Sequence, residues 1–155
     1  MHFTHSARYD APVADVLAML TDPAFREKAA RAQGVTSVQV TSADGAVKID
    51  QEQPNTDIPA FARAFAGETT RSVITETWTG ETATFGVETP GKPAAINGTR
   101  RLVADGAGTL DTFECEAKAK LPLIGGKIEK LIAGKFADGL ETEHGVGTAW
   151  LAGDR

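Results

Sequence analysis

The chain has 155 residues, 41% hydrophobic and 24% charged, and its 16 basic side chains are outnumbered by 21 acidic ones for a formal net charge of −5. That is the size of one domain with one core, residues 1–155. No apolar run nears the roughly 18 residues that cross a bilayer, which argues against an integral membrane protein; the positive residues read as scattered, Arg100-Arg101 being the densest pair, which argues against nucleic acid as a partner.

The opening MHFTHSARYD has neither a basic start nor an apolar stretch, so no secretory signal is expected. A single cysteine cannot close an internal disulfide, which fits the cytoplasm. Residues 3–9 alternate, Phe3, His5, Ala7 and Tyr9 against Thr4, Ser6 and Arg8, as in a half-buried strand. Asp10 and Pro12 then start a helix in which Val13, Val16, Leu17 and Leu20 keep the helical spacing. Asp22 as cap and Pro23 at the first position start a second short helix over 23–32, ending near Gly34.

Strand patterns follow. VTSVQV and AVKIDQ flank Asp44-Gly45, a pair suited to the two positive φ angles of a tight hairpin. NTDIPAFARAFAG predicts a short inserted helix, with Asp57 as cap, Pro59 at its start, Gly67 at its end, and Ile58, Phe61 and Phe65 on one face. SVITETWT and TATFGVET flank Gly80-Glu81 as another hairpin, PGKP turns into a sixth strand near 94–104, and ADGAG turns into a seventh. In that seventh strand Phe113, Cys115, Ala117, Ala119 and Leu121 alternate with Thr112, Glu114, Glu116, Lys118 and Lys120, one face dry and one wet. Short successive hairpins predict a meander.

Residues 122–151 read as one helix on the order of 45 Å long. Ile124, Ile128, Leu131, Ile132, Phe136 and Leu140 form its apolar stripe, while Lys127, Lys130, Asp138, Glu141 and Glu143 lie mainly away from it. Gly125, Gly126 and Gly134 then mark close packing against the sheet or space left beside it, and Ala117 and Ala119 opposite are small too.

Three stretches, ARYDAPVADVLAMLTDPAF, the hairpin bearing Trp78, and LPLIGGKIEKLIAGKF, fall in an order of elements that resembles the START/SRPBCC superfamily, which includes the birch-pollen-allergen-like proteins, and within it an uncharacterised domain family. The resemblance implies an α+β helix-grip fold: a seven-stranded antiparallel curved sheet, two short helices after the first strand, and a long C-terminal helix across the concave face. It also implies a cavity between sheet and helix that binds a hydrophobic small molecule or lipid. The superfamily holds lipid carriers, polyketide cyclases, hormone receptors and co-chaperones, so fold alone does not settle function.

The expected cavity walls are Val40, Ile49, Trp78, Phe85, Ile96 and Phe113 from the strands, with Cys115 and Ala117 beside them, and Leu131, Phe136 and Leu140 from the last helix. Phe61 and Phe65 either form a lid or plug the core. Ala117→Trp is expected to fill the cavity and abolish uptake. Cys115 reads as a small buried hydrophobe rather than a reactive thiolate. His5, Glu76 and His144 are the candidate polar anchors; the competing reading of both histidines is an ordinary core or rim residue. Glu76 shares a face with Ile74 and Trp78, so it points inward to meet Arg100 or Arg101, or else the register is opposite, with Val73 inward and Glu76 in water.

No metal site is expected: no zinc spacing exists, and His5 would lie near the start of the final helix with His144 some thirty Å along it. LIGGKIEK lacks the upstream glycine and following Ser or Thr of a phosphate loop, GVGTAW lacks the third glycine of a dinucleotide fingerprint, and no Gly-x-Ser-x-Gly elbow occurs. Asn97-Gly98-Thr99 matches a glycosylation acceptor but lies in a chain without a signal. With no catalytic set and no cofactor motif, the expectation is a carrier or binder of a lipid or other apolar small molecule, not an enzyme. The alternatives are a cyclase- or dehydratase-type enzyme using the same cavity, with His5, Glu76 and His144 as its acid–base groups, and a protein-interaction module. The sequence carries no information on oligomeric state.

Overall fold

The computed structural model describes residues 1–155. In chain order it contains β1 (His2–Tyr9), α1 (Val13–Leu20), α2 (Pro23–Ala32), β2 (Ser37–Ala43), β3 (Ala46–Pro54), α3 (Ala60–Ala66), β4 (Thr69–Thr79), β5 (Thr82–Glu88), β6 (Ala94–Asp105), β7 (Gly108–Ala119) and α4 (Gly125–Leu151). The seven strands form one antiparallel sheet in the order β1-β7-β6-β5-β4-β3-β2. This is the α+β architecture that the alternation and turn chemistry predict, with α4 packed along the concave side.

Local chemistry accounts for the joints. The Asp22 carboxylate accepts a hydrogen bond from Ala24 N at 2.9 Å, and Pro23 opens α2. Asp44 and Gly45 both have positive φ, 52° and 81°, which matches the twist of the β2–β3 ribbon. α3 departs from expectation: Pro59 occupies its N-cap without a side-chain hydrogen bond, so Asp57 does not cap it, and Ala62 replaces Phe61 on the buried face. The last helix starts three residues later than predicted, because Leu123 takes φ 67°, a left-handed conformation that a right-handed helix cannot include.

The core is divided. One apolar cluster, with Tyr9, Val16, Leu20, Phe25, Trp78 and Trp150, lies beneath α1, α2 and the end of α4. Another, with Phe85, Ile96, Phe113, Cys115, Ala117 and Leu140, lies beneath the middle of α4. A small third, of Ala62, Ala94, Ala119 and Ile128, joins α3 to the start of α4.

The helix glycines split the same way. A Cβ on Gly125 would stand 2.8 Å from the Ala119 carbonyl oxygen, and one on Gly147 2.8 Å from the Tyr9 ring, so these positions let α4 approach closely. A Cβ on Gly134 would meet nothing within 4 Å. Gly134→Ala is therefore expected to raise stability by up to about 1 kcal/mol. By contrast, a Cβ on strand residue Gly98 would stand 1.9 Å from the Glu114 carbonyl oxygen, and Gly98→Ala is expected to lower stability by about 1–3 kcal/mol through forced backbone shifts. Urea unfolding of the two variants beside the parent checks both signs; equal shifts would contradict this packing.

Candidate functional site

The concave face, α4, α3 and the segment before α3 enclose a cavity of about 320 Å³. Phe85, Ile96 and Phe113 from the sheet and Leu131, Phe136 and Leu140 from α4 form its walls, and Ile58 and Phe65 close the α3 side. The three phenylalanines contact one another: Phe85 stacks on Phe136 at 5.6 Å between ring centroids, and Phe113 meets both edge-on at 5.5 and 5.9 Å.

The inner end is ionic. Arg26, Glu76, Arg100 and Glu143 line it, Asp111 stands behind them, and none of the five is more than 7% exposed. Arg26 Nη1 and Nη2 donate to the two Glu76 oxygens at 2.7 and 3.0 Å. Arg100 Nη1 and Trp78 Nε1 add donations to Glu76 at 3.0 and 3.2 Å. Arg100 Nε and Nη2 also grip Asp111 at 3.0 and 2.7 Å, and Nη2 reaches Glu143 Oε1 at 2.6 Å. Burial would push the Glu76 carboxyl up, but the guanidinium groups of Arg26 and Arg100, with the Arg26 and Trp78 hydrogen bonds, outweigh it and hold the group down at about 2. Every nitrogen of the Arg100 guanidinium is engaged, and its central carbon lies 4.5 Å from the Phe113 centroid. Glu143 Oε2 differs: Arg26 Nη2 stands 3.6 Å away and no protein donor reaches hydrogen-bonding distance.

Local patterning puts these groups together. Val47, Glu76 and Phe85 face one another across β3, β4 and β5 and all point inward, which settles the register of Glu76. Of the two β6 arginines, Arg100 is the one that bonds to it; Arg101 is exposed. Arg26 lies on the buried face of α2 with Phe25, Ala29 and Ala30. Glu143, expected on the outer face of the last helix, belongs to its buried row with Leu140, Gly147 and Trp150. That spacing of three and four residues was the signal to be read; for Asp111 it was the period-two alternation of β7, which sets it on the same face as Phe113, Cys115 and Ala117.

At the mouth, Gln33, Gln53, Asn55, Lys92 and Lys135 supply polar groups. Lys92 Nζ donates to the Phe65 carbonyl at 2.7 Å, and Lys135 Nζ donates to the Asp57 carbonyl at 2.9 Å, tying α3 and its approach to the β5–β6 turn and to α4.

Several expected wall residues lie elsewhere. Ile49 and Trp78 belong to the cluster beneath α1 and α2, with Val40 packed against its edge on β2. Cys115 and Ala117 are sealed beneath α4, and burial pushes the Cys115 thiol up to about 12. Ala117 is 0% exposed, so a tryptophan there would overpack the core rather than fill the cavity. Phe61 is 40% exposed and turned outward, with Lys127 Nζ 5.7 Å from its ring.

Neither histidine lines the cavity. His5 Nε2 pairs with Glu141 Oε1 at 2.7 Å and its Nδ1 is buried without a partner, while His144 Nε2 donates to the Arg8 carbonyl at 2.7 Å. These contacts run β1 alongside α4 in the same direction, because the chain reverses between β7 and α4. His5 therefore lies level with Glu141, less than a turn before His144, and not at the start of the helix. No group of three or more His, Cys, Asp or Glu side chains is arranged to hold a metal ion.

A family profile described as "Protein of unknown function (DUF2505)" matches residues 4–151. Comparison of the sequence with curated proteins returned no match. Among solved structures, the protein TTHA0849 from Thermus thermophilus superposes with a TM-score of 0.70 at 18% identity over 100% of both chains. Truncated norcoclaurine synthase from Thalictrum flavum gives 0.70 at 11% identity, covering 100% of this chain and 95% of that one. The di-domain ARO/CYC StfQ from the steffimycin biosynthetic pathway gives 0.69 at 13% identity, covering 96% of this chain and 49% of that one, so the chain spans about half of the two-domain protein. These similarities establish the helix-grip fold.

Proposed function

The chain belongs to the DUF2505 family, and from its helix-grip cavity we propose that it binds and carries a small apolar molecule, acting as a single domain. The observation that supports this most directly is the division of the cavity: an aromatic wall of Phe85, Phe113 and Phe136 meets an inner end whose guanidinium groups are already neutralised by Glu76, Asp111 and Glu143. Such walls gain from covering apolar surface, and a bonded ion network leaves few groups to move protons. At about 320 Å³ the volume sits at the lower end of the roughly 300–1,000 Å³ usual for ligand sites, which suits one ring system or a short chain rather than a two-chain lipid. Glu143 Oε2 is the acceptor left for a hydroxyl or amine on the ligand. The same oxygen is what a cyclase- or dehydratase-type reading would use as its base, in place of His5 and His144. No helix is long and apolar enough to cross a membrane; the cytoplasm is the proposed compartment.

Native mass spectrometry of protein purified from its own host without detergent should show an apolar adduct released by organic solvent. In titrations with the uncharged fluorophore N-phenyl-1-naphthylamine, saturable one-to-one uptake is expected. Val87→Trp on β5 and Leu131→Trp on α4, both half-buried at the cavity wall, should each weaken it roughly tenfold or more while the protein stays folded. Uptake unchanged in both variants would move the binding site elsewhere, and absence of any uptake or adduct would remove the carrier reading.

A further inference from the structure

We propose that the end of the molecule formed by the β7–α4 turn and α3 docks on the surface of an anionic lipid membrane. The charge distribution is the first support. Residues 118–135 contain five of the eight lysines and a single acid, Glu129, a local charge of +4 in a chain of net charge −5. The scattered distribution read from the sequence is thus wrong for lysine. Lys118, Lys120, Lys127, Lys130 and Lys135 are all exposed. Glu129 is engaged at the ends of β1 and β7, accepting from Ala119 N at 3.0 Å and from the Met1 amino group at 3.3 Å, an ammonium that Glu116 shares at 3.3 Å. Lys92 joins the patch, since its neighbour Pro93 accepts from Lys120 N at 2.9 Å. Asp57, beside Lys135 at 4.0 Å, is the acidic group paired within it.

The apolar tip is the second support. Leu123 is fully exposed, at 102%, in a left-handed conformation that a branched side chain rarely adopts. Two backbone hydrogen bonds close the turn around it, Ile124 N to the Pro122 carbonyl at 2.8 Å and Gly125 N to the Leu121 carbonyl at 3.1 Å, while its side chain stands in solvent. Phe61, 40% exposed, lies beneath the ammonium of Lys127, four residues on from Leu123. Leu123 and Lys127, four residues apart, lead into the same outward side of the helix start as Lys130. An apolar point ringed by long cationic side chains suits the headgroup boundary, where leucine and phenylalanine enter the acyl layer and lysines reach back to phosphates.

Helix electrostatics add to this. No side chain caps α4, and its first turn carries Lys127 and no acid, so positive charge sits at the positive end of the dipole. An anionic surface relieves that repulsion. The remaining acidic surface would face away from the bilayer and fix the orientation of approach. Lys92, Leu131 and Lys135 border both patch and cavity, so a bound molecule would enter or leave toward the bilayer. That last step rests on the carrier reading; docking itself does not.

Flotation with vesicles of phosphatidylcholine alone, or mixed with phosphatidylglycerol, tests the proposal. The protein is expected to float only with the mixed vesicles and to be released by salt. Leu123→Asp should weaken flotation roughly tenfold, and Lys127→Gln and Lys130→Gln about fivefold each. The double variant Lys28→Gln/Lys48→Gln, which removes two charges away from the patch where each patch variant removes one, should leave it unaltered. The proposal is overturned if mixed vesicles do not float the protein, if Leu123→Asp floats like the parent, or if the Lys28/Lys48 variant loses as much as the patch variants. Retention on immobilised polyglutamate without flotation would assign the patch to an acidic protein and overturn it equally.

Discussion

Arg100→Met is expected to lower folding stability by about 3–5 kcal/mol, the loss that follows when one partner of a buried ion pair is removed. Arg100 is 1% exposed and donates to three carboxylates, Glu76, Asp111 and Glu143. Methionine keeps most of the volume but leaves Glu76 and Glu143 with Arg26 as their neighbouring cation and Asp111 with none. A domain of this size has about 5–15 kcal/mol in hand, so the variant should approach the limit of folding. Arg100→Lys keeps the charge but cannot reproduce the bidentate grip on Asp111, and should fall between the parent and the methionine variant. Urea unfolding at neutral pH checks the order. A loss below about 1 kcal/mol for Arg100→Met would mean that the carboxylates are compensated by solvent through the cavity, and the inner end would not be dry.

Acid should destabilise the protein through Glu76. Its carboxyl is held at about 2 in the folded chain against an ordinary value of 4.5. The folded value lies below the unfolded one, so the unfolded chain binds the proton first. The stabilisation is complete above about pH 4.5 and disappears as pH falls toward 2. It amounts to on the order of 3 kcal/mol. Unfolding free energy followed from about pH 6 to about pH 2 should therefore drop steeply through this window. Glu76→Gln, less stable at neutral pH, should show a shallower drop. The exposed Asp50–Arg71 pair, whose carboxyl is also held low by its Arg71 hydrogen bonds, contributes a part that salt screens. If the glutamine variant retained the full acid slope, Glu76 would not be the group responsible.

What could be read from the sequence follows from how far each determinant reaches. Asp22-Pro23, Asp44-Gly45 and the alternation of β7 act within a few residues, and each predicted its element. The cavity depends on contacts between distant segments and was legible only in part. Alternation correctly placed Phe85, Ile96 and Phe113 on the concave side, but it cannot tell a residue sealed under a helix, such as Cys115 or Ala117, from one facing open space. It also cannot tell which end of the concave side α1 and α2 fill, and so misplaces Ile49 and Trp78. Charged residues were hardest to place. Arg26 looks like a solvated helix residue until Glu76 is seen beside it, and in Glu143 the charge masks a spacing that places it in the buried row of α4.

The sheet order has a consequence for how the molecule is made. Apart from β1, every strand pairs with its sequence neighbours, so the β2–β7 meander can assemble by short loop closures as the chain emerges. β1 pairs only with β7, His2 opposite Glu116, and its inward side carries Phe3 and Tyr9. That strand must wait, with these residues uncovered, until most of the protein has been synthesised. Closure of the sheet edge is therefore a late step, slowed by the distance between its two partners and vulnerable to pairing with other chains in the interval. β1 precedes the meander in the chain yet joins the sheet after it.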